Sequence, residues 1–168
     1  MQRFTLATLT AVLTLSTAQA QTCNPSITRT APDSRYQLVV GSGGSEVLDT
    51  QTKLVWQRCS LGQTWNGTTC TGTASTHTWA DALTKARAVG NGYRLPNIKE
   101  LQSLVEEACY NSSINETFFP ATPRGVYWSA SPYAGYNGGA WLVLFDYGGA
   151  DYNGKSNHYY VRAVRAGQ

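Results

Sequence analysis

The sequence is short of the patterns that usually mark catalytic, metal-binding or nucleic-acid-binding proteins. It contains only two histidines, His77 and His158, and neither has the spacing of a zinc ligand. No nucleophile-elbow motif and no recognised phosphate-binding loop accompany them. Lysines and arginines form no dense run, so nucleic acid is not an expected partner. We therefore expect a protein that is not an enzyme and that carries no metal or cofactor.

Long hydrophobic runs are missing as well. The most apolar stretch, residues 4–15, is shorter than the roughly 20 residues that a membrane-spanning helix needs. It follows the basic Arg3 and precedes residues 18–20, whose small-x-small pattern is the one that signal peptidase cleaves. The sequence therefore predicts a signal peptide over residues 1–20 and export to the periplasm, the cell surface or the extracellular space. An uncleaved anchor and a lipid on Cys23 are alternatives that fit this stretch less well.

Cysteine is scarce but even in number. The four cysteines are Cys23, Cys59, Cys70 and Cys109. In an exported chain an even set predicts disulfides, and four cysteines allow three pairings. We favour Cys59–Cys70, because it closes a loop rich in glycine and threonine, and this leaves Cys23–Cys109. The alternative, a zinc site, lacks a Cys-x-x-Cys spacing.

The remaining residues have the length of one ordinary domain. We expect a partly irregular N-terminal segment over residues 21–45 and a ligand-binding domain over residues 46–168. Residues 36–40 have the composition of a strand, and residues 46–49 and 53–57 are typical of a hairpin because they flank a short polar turn.

Two helices have clear start signals. Thr78 can cap the first, which Gly90 and its neighbours end. Asn97 can cap the second, and Glu100 completes a capping-box pair. Apolar residues at helical spacing predict the buried stripes. They are Trp79, Leu83, Ala86 and Val89 in the first helix, and Ile98, Leu101, Leu104, Val105 and Ala108 in the second.

Three further strands are predicted after the helices, over residues 127–131, 140–146 and 159–165. The order of strands, two helices and strands again predicts a single α+β domain with an antiparallel sheet, because alternating βαβ units are missing.

The strand over residues 140–146 separates two sets of side chains. Since alternate side chains point to opposite faces, Trp141, Val143 and Phe145 form one set and are expected in the core. Leu142 and Leu144, with Asp146, form the other set. If that second face is open to solvent, its leucines predict a contact surface. The alternative is a strand that is buried on both faces.

The segments around this strand are rich in tyrosine, glycine, asparagine and serine, as antibody paratopes are. Turn formation alone explains the glycine and asparagine but not so many tyrosines. We therefore predict a ligand-binding surface. Its residues are Tyr133, Tyr136, Asn137, Leu142, Leu144, Asp146, Tyr147, Asp151, Tyr152, Asn153, Asn157, His158 and Tyr159.

An ordered set of short motifs carries a family resemblance. The motifs occupy residues 48–50, 54–59, 78–83, 92–97, 100–101, 119–120, 127–131, 140–141 and 160–165. From about Glu46 to its end the chain resembles the bacterial family typified by the C-terminal domain of the Legionella collagen-like adhesin. The resemblance implies a C-type-lectin-like fold, akin to that of formylglycine-generating enzymes, with two helices packed on small antiparallel sheets. It also implies a surface adhesin whose partner is a protein or glycan on another cell or surface.

A second resemblance is to the variable proteins of diversity-generating retroelements. Those proteins have a start like residues 128–131 and a finish like residues 161–165. The resemblance implies that positions from Tyr133 to Tyr159, including Leu142 and Leu144, are drawn from a diversified template.

Two alternatives remain at this point. The first is a fixed adhesin for glycans or polyanions, in which Arg124, Arg162 and Arg165 meet sulfate groups. The second is an enzyme related to the formylglycine-generating group, which would need a reactive thiol or a bound metal.

Overall fold

The structure is a computed structural model that describes residues 20–167, so nearly all of the predicted signal peptide lies outside the described residues. The helices are α1 (Trp79–Ala88) and α2 (Ile98–Gln102), and a short 3-10 turn covers Asp33–Arg35. The strands are β1 (Thr22–Cys23), β2 (Tyr36–Leu38), β3 (Glu46–Asp49), β4 (Leu54–Gln57), β5 (Thr64–Trp65), β6 (Cys70–Thr71), β7 (Cys109–Tyr110), β8 (Val126–Pro132), β9 (Gly139–Leu144), β10 (Ala150–Gly154) and β11 (Val164–Ala166). Within this part of the chain, no helix has the length and apolar character needed to cross a membrane.

All pairs among these named strands are antiparallel, and within residues 20–167 they form four small sheets. The largest has the order β11-β4-β3-β2, and a three-stranded sheet has the order β10-β9-β8. β1 pairs with β7, and β5 pairs with β6. The expected combination of two helices with small antiparallel sheets is confirmed.

The hairpin predicted before the cysteine loop is formed by β3 and β4, with Glu46 opposite Gln57 and Asp49 opposite Leu54. Asp49 is fully buried and stabilises the turn, since its carboxylate accepts the N–H of Gln51 (3.0 Å) and the hydroxyl of Thr52 (2.6 Å). Arg35 donates its Nε to the same carboxylate at 2.8 Å and so ties the 3-10 turn to the hairpin.

Both predicted helix caps are present. The Thr78 side chain accepts the N–H of Asp81, and Asn97 and Glu100 form the reciprocal capping box. The second helix is shorter than its apolar stripe predicted, because it ends at Gln102. Beyond it, the buried Glu106 carboxylate accepts the N–H groups of Thr30, Ala31 and Ala108, which stabilises an irregular backbone in place of a further helical turn.

Both expected disulfides are present, Cys23–Cys109 and Cys59–Cys70, so all four cysteines are paired. The first joins β1 to β7 and fastens the N-terminal segment to the chain after α2. The second joins the end of the β4 region to β6.

The strands β8 and β9 lie between two hydrophobic clusters. Tyr127, Val143 and Phe145 belong to one cluster, which also contains Trp56 and Leu104. Trp128, Ala140 and Leu142 belong to the other, together with Ala82 and Ala86 of α1. Because alternate side chains of both strands enter different clusters, the middle of this sheet is covered on both faces.

Two strand predictions near the C-terminus differ from the structure. The strand expected over residues 159–165 is reduced to Val164–Ala166, and the residues before it make isolated bridges instead. The strand β10, which was not predicted, forms because it pairs along its length with β9. Its sequence is polar and contains turn-forming residues, so the pairing overrides the local preference.

Candidate functional site

Three aromatic side chains form the centre of the candidate site on the three-stranded sheet. Tyr152 of β10 is directly opposite Trp141 of β9, and Tyr133 follows the end of β8. The rings of Tyr133 and Tyr152 are stacked, with centroids 3.8 Å apart. Trp141 meets both edge-on, at 5.2 Å from Tyr133 and 6.2 Å from Tyr152. We call this set of three side chains the aromatic platform.

The loop between β8 and β9 positions the platform. The N–H of Tyr133 donates to the carbonyl of Gly139 (3.1 Å), and the N–H of Gly139 donates to the carbonyl of Tyr136 (2.8 Å). Lys155 fastens the same loop from outside, because its Nζ donates to the Asn137 carbonyl (2.7 Å) and lies 4.6 Å from the ring centre of Trp79. The loop is therefore anchored at both ends and along one side.

A repeated Tyr-x-Gly spacing explains how the tyrosines lie on these loops. A Cβ added to Gly135 would be 2.8 Å from the ring of Tyr133, and one added to Gly138 would be 2.5 Å from the ring of Tyr136. A Cβ at Gly149 would likewise be 2.5 Å from the ring of Tyr147. Each ring thus covers the glycine two residues later, at a separation that leaves no room for a methyl group. This spacing is a signal in the sequence that composition alone did not reveal.

Other predicted residues lie in exposed loops at the two ends of the three-stranded sheet. Tyr136 is 55 % exposed and Tyr147 is 64 % exposed, so both present most of a ring to solvent. Asn137 is exposed in the β8–β9 loop, and His158 is exposed after β10.

A second group of predicted residues lies on the opposite face of β10. The Asn153 Nδ2 donates to the hydroxyl of Tyr159 (2.7 Å), and the Asn157 Nδ2 donates to Asn153 Oδ1 (3.0 Å). Tyr159 is half-buried with its ring edge-on to the buried Trp128, 4.8 Å between centroids. Asp151 is exposed on this face as well. The predicted residues therefore divide between two faces of one edge strand.

The expectation of an open leucine face on β9 is wrong. Leu142 is only 3 % exposed and Leu144 is half-buried. Helix α1 and the aromatic rings of the hydrophobic cluster that contains Trp128 cover that face. Asp146 is also half-buried, in the turn after β9. Conversely, Val143 and Phe145 are buried as expected, whereas Trp141 is half-buried and belongs to the platform. Periodicity identified the two faces but not what covers each of them.

The arginines expected to meet a polyanion are mostly engaged inside the protein. Arg162 is fully buried, where it donates to the carbonyls of Gln57 and Arg58 and to the Thr122 hydroxyl. Arg165 is half-buried and pairs with Glu46 at 2.8 Å. Only Arg124 of this set is exposed. The structure therefore does not bring these arginines together on a surface.

One serine–histidine contact is present that the sequence motifs did not indicate. His77 Nε2 lies 2.8 Å from Ser75 Oγ, and the serine hydroxyl also donates to the Leu61 carbonyl at 3.2 Å. Burial, together with the nearby Lys85, lowers the pKa of His77. The backbone of His77 exchanges hydrogen bonds with that of Tyr159 at 2.9 and 3.0 Å, so this segment supports the polar face of β10.

Within residues 20–167, no group of three or more His, Cys, Asp and Glu side chains is arranged to hold a metal ion. No hydrogen bond in this range joins a carboxylate to the His77 ring, so a third triad member does not accompany Ser75. The thiol chemistry expected of a formylglycine-generating enzyme would need a free cysteine, whereas every cysteine of the chain is in a disulfide.

The sequence profile of the Lcl C-terminal domain matches residues 45–165. The matched region runs from the start of β3 into β11 and contains both helices and the aromatic platform. A comparison with curated proteins finds no match.

Proposed function

Because the chain belongs to the Lcl C-terminal domain family, that of the Legionella collagen-like adhesin, we propose that it is an adhesin-like domain that binds a ligand through its aromatic platform. The two disulfides fit an exported protein, since disulfides persist in oxidising compartments. Membership of an adhesin-associated domain family also favours a binding role over catalysis.

The observation that carries this proposal is the packing of Tyr133, Trp141 and Tyr152. Tyr152 remains 42 % exposed although it is stacked on Tyr133, so the pair presents a wide, rigid aromatic area. Aromatic side chains that are held in place contribute strongly to binding, because little rotamer freedom is lost when a partner covers them. The exposed Tyr136 lies in the same β8–β9 loop as Tyr133, whereas the exposed Tyr147 lies in the turn at the other end of β9.

The partner that suits this surface presents a flat apolar or aromatic face, from a protein or from the ring of a sugar. Recognition through many arginines is less compatible with the structure, because Arg162 is buried and Arg165 is paired. A ligand bound mainly by aromatic contacts should be retained at high salt, whereas a polyanion bound by exposed cations should be released.

We also propose that the fold is C-type-lectin-like. Its support is that β2, near the start of the described chain, and β11, near its end, lie at the two edges of one four-stranded sheet. Both helices also contact the strands of the three-stranded sheet. An experimental structure superposed on known C-type-lectin-like domains would test this assignment.

Variation by a diversity-generating retroelement is a further proposal for the same surface. The exposed Tyr136, Tyr147 and Tyr152 are suitable variable positions, because no core cluster contains them. Leu142 is a poor one, because a change there would alter the core. Sequencing of the DNA that flanks the gene should reveal a near-copy of the codons for residues 127–165 that differs at adenines, next to a reverse transcriptase gene. A fixed adhesin would lack this copy.

The signal peptide over residues 1–20 remains a prediction, with residues 46–168 as the binding domain of the exported chain. N-terminal sequencing of the protein recovered outside the cytoplasm should read from Gln21. A protein that still begins at Met1 would contradict the cleavage.

The binding proposal is tested by the adhesion of beads that carry the domain. Three surfaces serve as probes: an array of neutral glycans, immobilised heparin and intact cells. Wild-type beads should adhere to at least one of them, and Tyr133→Ala/Tyr152→Ala beads should adhere at least about 30-fold less, because aromatic hot-spot residues contribute about 2 kcal/mol or more. The matched control is Tyr110→Ala, which removes a 54 % exposed tyrosine outside the three-stranded sheet.

Either of two results would contradict the proposal. Wild-type beads that adhere to none of the surfaces would argue against an adhesin-like role. Equal adhesion by the platform variant and the Tyr110 control would place the binding surface elsewhere.

A further inference from the structure

The free edge of β10 is the most exposed strand edge of the site. β10 is the outer strand of the three-stranded sheet, and no other strand in residues 20–167 pairs with its second side. The N–H of Leu144 donates to the carbonyl of Gly149, and the N–H of Lys155 donates to the carbonyl of Gly138. Because hydrogen-bonded residue pairs alternate along an antiparallel ladder, these bonds show which residues of β10 direct their backbone groups toward β9. The backbone groups of Ala150, Tyr152 and Gly154 consequently point outward. Outward N–H and C=O groups are a template for pairing with another chain.

Side chains close in sequence occupy half of these outward groups, including the N–H donors of Tyr152 and Gly154. The N–H of Tyr152 donates to Asp151 Oδ1, and the N–H of Gly154 donates to Asn153 Oδ1, both at 2.8 Å. The carbonyl of Gly154 accepts the Asn157 Nδ2 at 3.1 Å. Both backbone groups of Gly154 and the donor of Tyr152 are therefore satisfied without a partner strand.

The residues that make these contacts are unusual choices for a strand. Aspartate and asparagine are depleted in strands, because they compete for backbone hydrogen bonds. Here two of them alternate along β10, each one residue before an outward N–H. Strand propensity does not explain this placement, whereas protection of the edge does.

We propose that Asp151, Asn153 and Asn157 close the edge of β10 to strand addition by a second copy of this chain. If two copies of β10 paired antiparallel with Tyr152 opposite Tyr152, Asp151 of one copy would lie opposite Asn153 of the other. Like charges would therefore not face each other, and charge repulsion alone would not prevent the pairing. The side-chain hydrogen bonds on the outward N–H groups would prevent it. This inference does not depend on the ligand, and it assigns to three predicted binding residues a role in keeping the sheet unpaired.

The oligomeric state of Asp151→Ala/Asn153→Ala, measured by sedimentation equilibrium over a range of concentrations, tests the proposal. The wild-type chain should remain monomeric, and the variant should show a concentration-dependent doubling of its mass. Glu107→Ala/Asn137→Ala is the matched control, because it removes one exposed carboxylate and one exposed amide away from the outward groups of β10. If the double variant loses its folded circular dichroism spectrum, Asp151→Ala alone provides the same comparison.

A second pair of substitutions separates edge pairing from contact between tyrosine rings. Added to the double variant, Tyr152→Ala keeps the outward N–H and should leave the association intact. Tyr152→Pro removes that N–H without breaking the ladder to β9, and should restore the monomer. The proposal is overturned if the double variant stays monomeric at all concentrations, if the control associates equally, or if the association survives Tyr152→Pro.

Discussion

Asp49 is a buried carboxylate whose ionised form is stabilised by its neighbours. Burial by itself raises the pKa of this carboxyl, but the hydrogen bonds from Arg35 and Thr52 outweigh burial and hold the pKa below its usual value. An unfolded chain takes up this proton near pH 4, at the ordinary aspartate pKa of about 3.9. The stability that the ionised carboxylate contributes is therefore present above about pH 4, and it is lost as pH falls through the lower pKa of the folded state.

We predict that Asp49→Asn lowers the free energy of unfolding by about 3–5 kcal/mol at neutral pH, because the buried Arg35 loses its charged partner. The variant should also lose less stability than the wild type between about pH 5 and pH 2. Urea denaturation at several pH values measures both effects, with Glu107→Gln as an exposed control. An unchanged acid dependence in Asp49→Asn would contradict the prediction.

The residue scale also shows which parts of the site could be predicted. Composition drew attention to the tyrosines, of which Tyr133 and Tyr152 lie in the platform. Tyr136 and Tyr147 are exposed in the loops at the two ends of β9, and the binding role of all four stays a prediction. Leu142 was misplaced, because a strand period separates two faces without revealing that α1 covers one of them. Trp141 was assigned to the core for the same reason.

At the scale of elements, the turn between β9 and β10 depends on Gly148. This residue has φ +80°, and an added Cβ would be 2.6 Å from Cγ1 of the buried Val105. Gly67 is a matched comparison, because its φ is +99° but nothing lies within 4 Å of its added Cβ. Both alanine variants carry the cost of a left-handed backbone, about 1–2 kcal/mol. Only Gly148→Ala adds a clash with Val105.

We predict that Gly148→Ala destabilises the protein by about 1–3 kcal/mol more than Gly67→Ala, as overpacking of a core does. Thermal and urea unfolding of the two variants provide the measurement. Equal losses in the two variants would mean that Val105 yields to the added methyl group and that the turn is not tightly packed.

The elements that sequence predicted well are those whose signals are local. The caps at Thr78 and Asn97 and the β3–β4 hairpin depend on residues a few positions apart, and all are formed. β10 was missed because its residues favour turns, and only its pairing with β9 makes it a strand. The last strand was predicted too long. The residues before Val164 have a strand-like sequence because several of them are buried, but their backbones form isolated bridges and not a continuous ladder.

At the scale of the whole molecule, the two disulfides close loops of different length. Cys23 and Cys109 are 86 residues apart in sequence, whereas Cys59 and Cys70 are 11 apart. If each bond acts by restricting the unfolded chain, the longer loop contributes about 4–5 kcal/mol and the shorter about 3 kcal/mol.

We predict that Cys23→Ala/Cys109→Ala lowers the free energy of unfolding by about 2 kcal/mol more than Cys59→Ala/Cys70→Ala, as measured by urea denaturation. The longer bond also attaches the β1 segment to β7, so its loss should increase hydrogen exchange in that segment. A larger loss from the shorter bond would show that native packing around the cysteine loop, and not loop closure, dominates.

In the molecule as a whole, hydrophobic clusters cover both faces of β8 and β9, and the aromatic platform lies at the edge of the same sheet. The most direct measurement of its role is hydroxyl-radical footprinting of the domain with and without the surface that retains it. We predict that Tyr133, Trp141 and Tyr152 lose reactivity on binding while Tyr110 does not. Protection of Tyr110 with an unchanged platform would contradict the assignment of the platform as the binding surface.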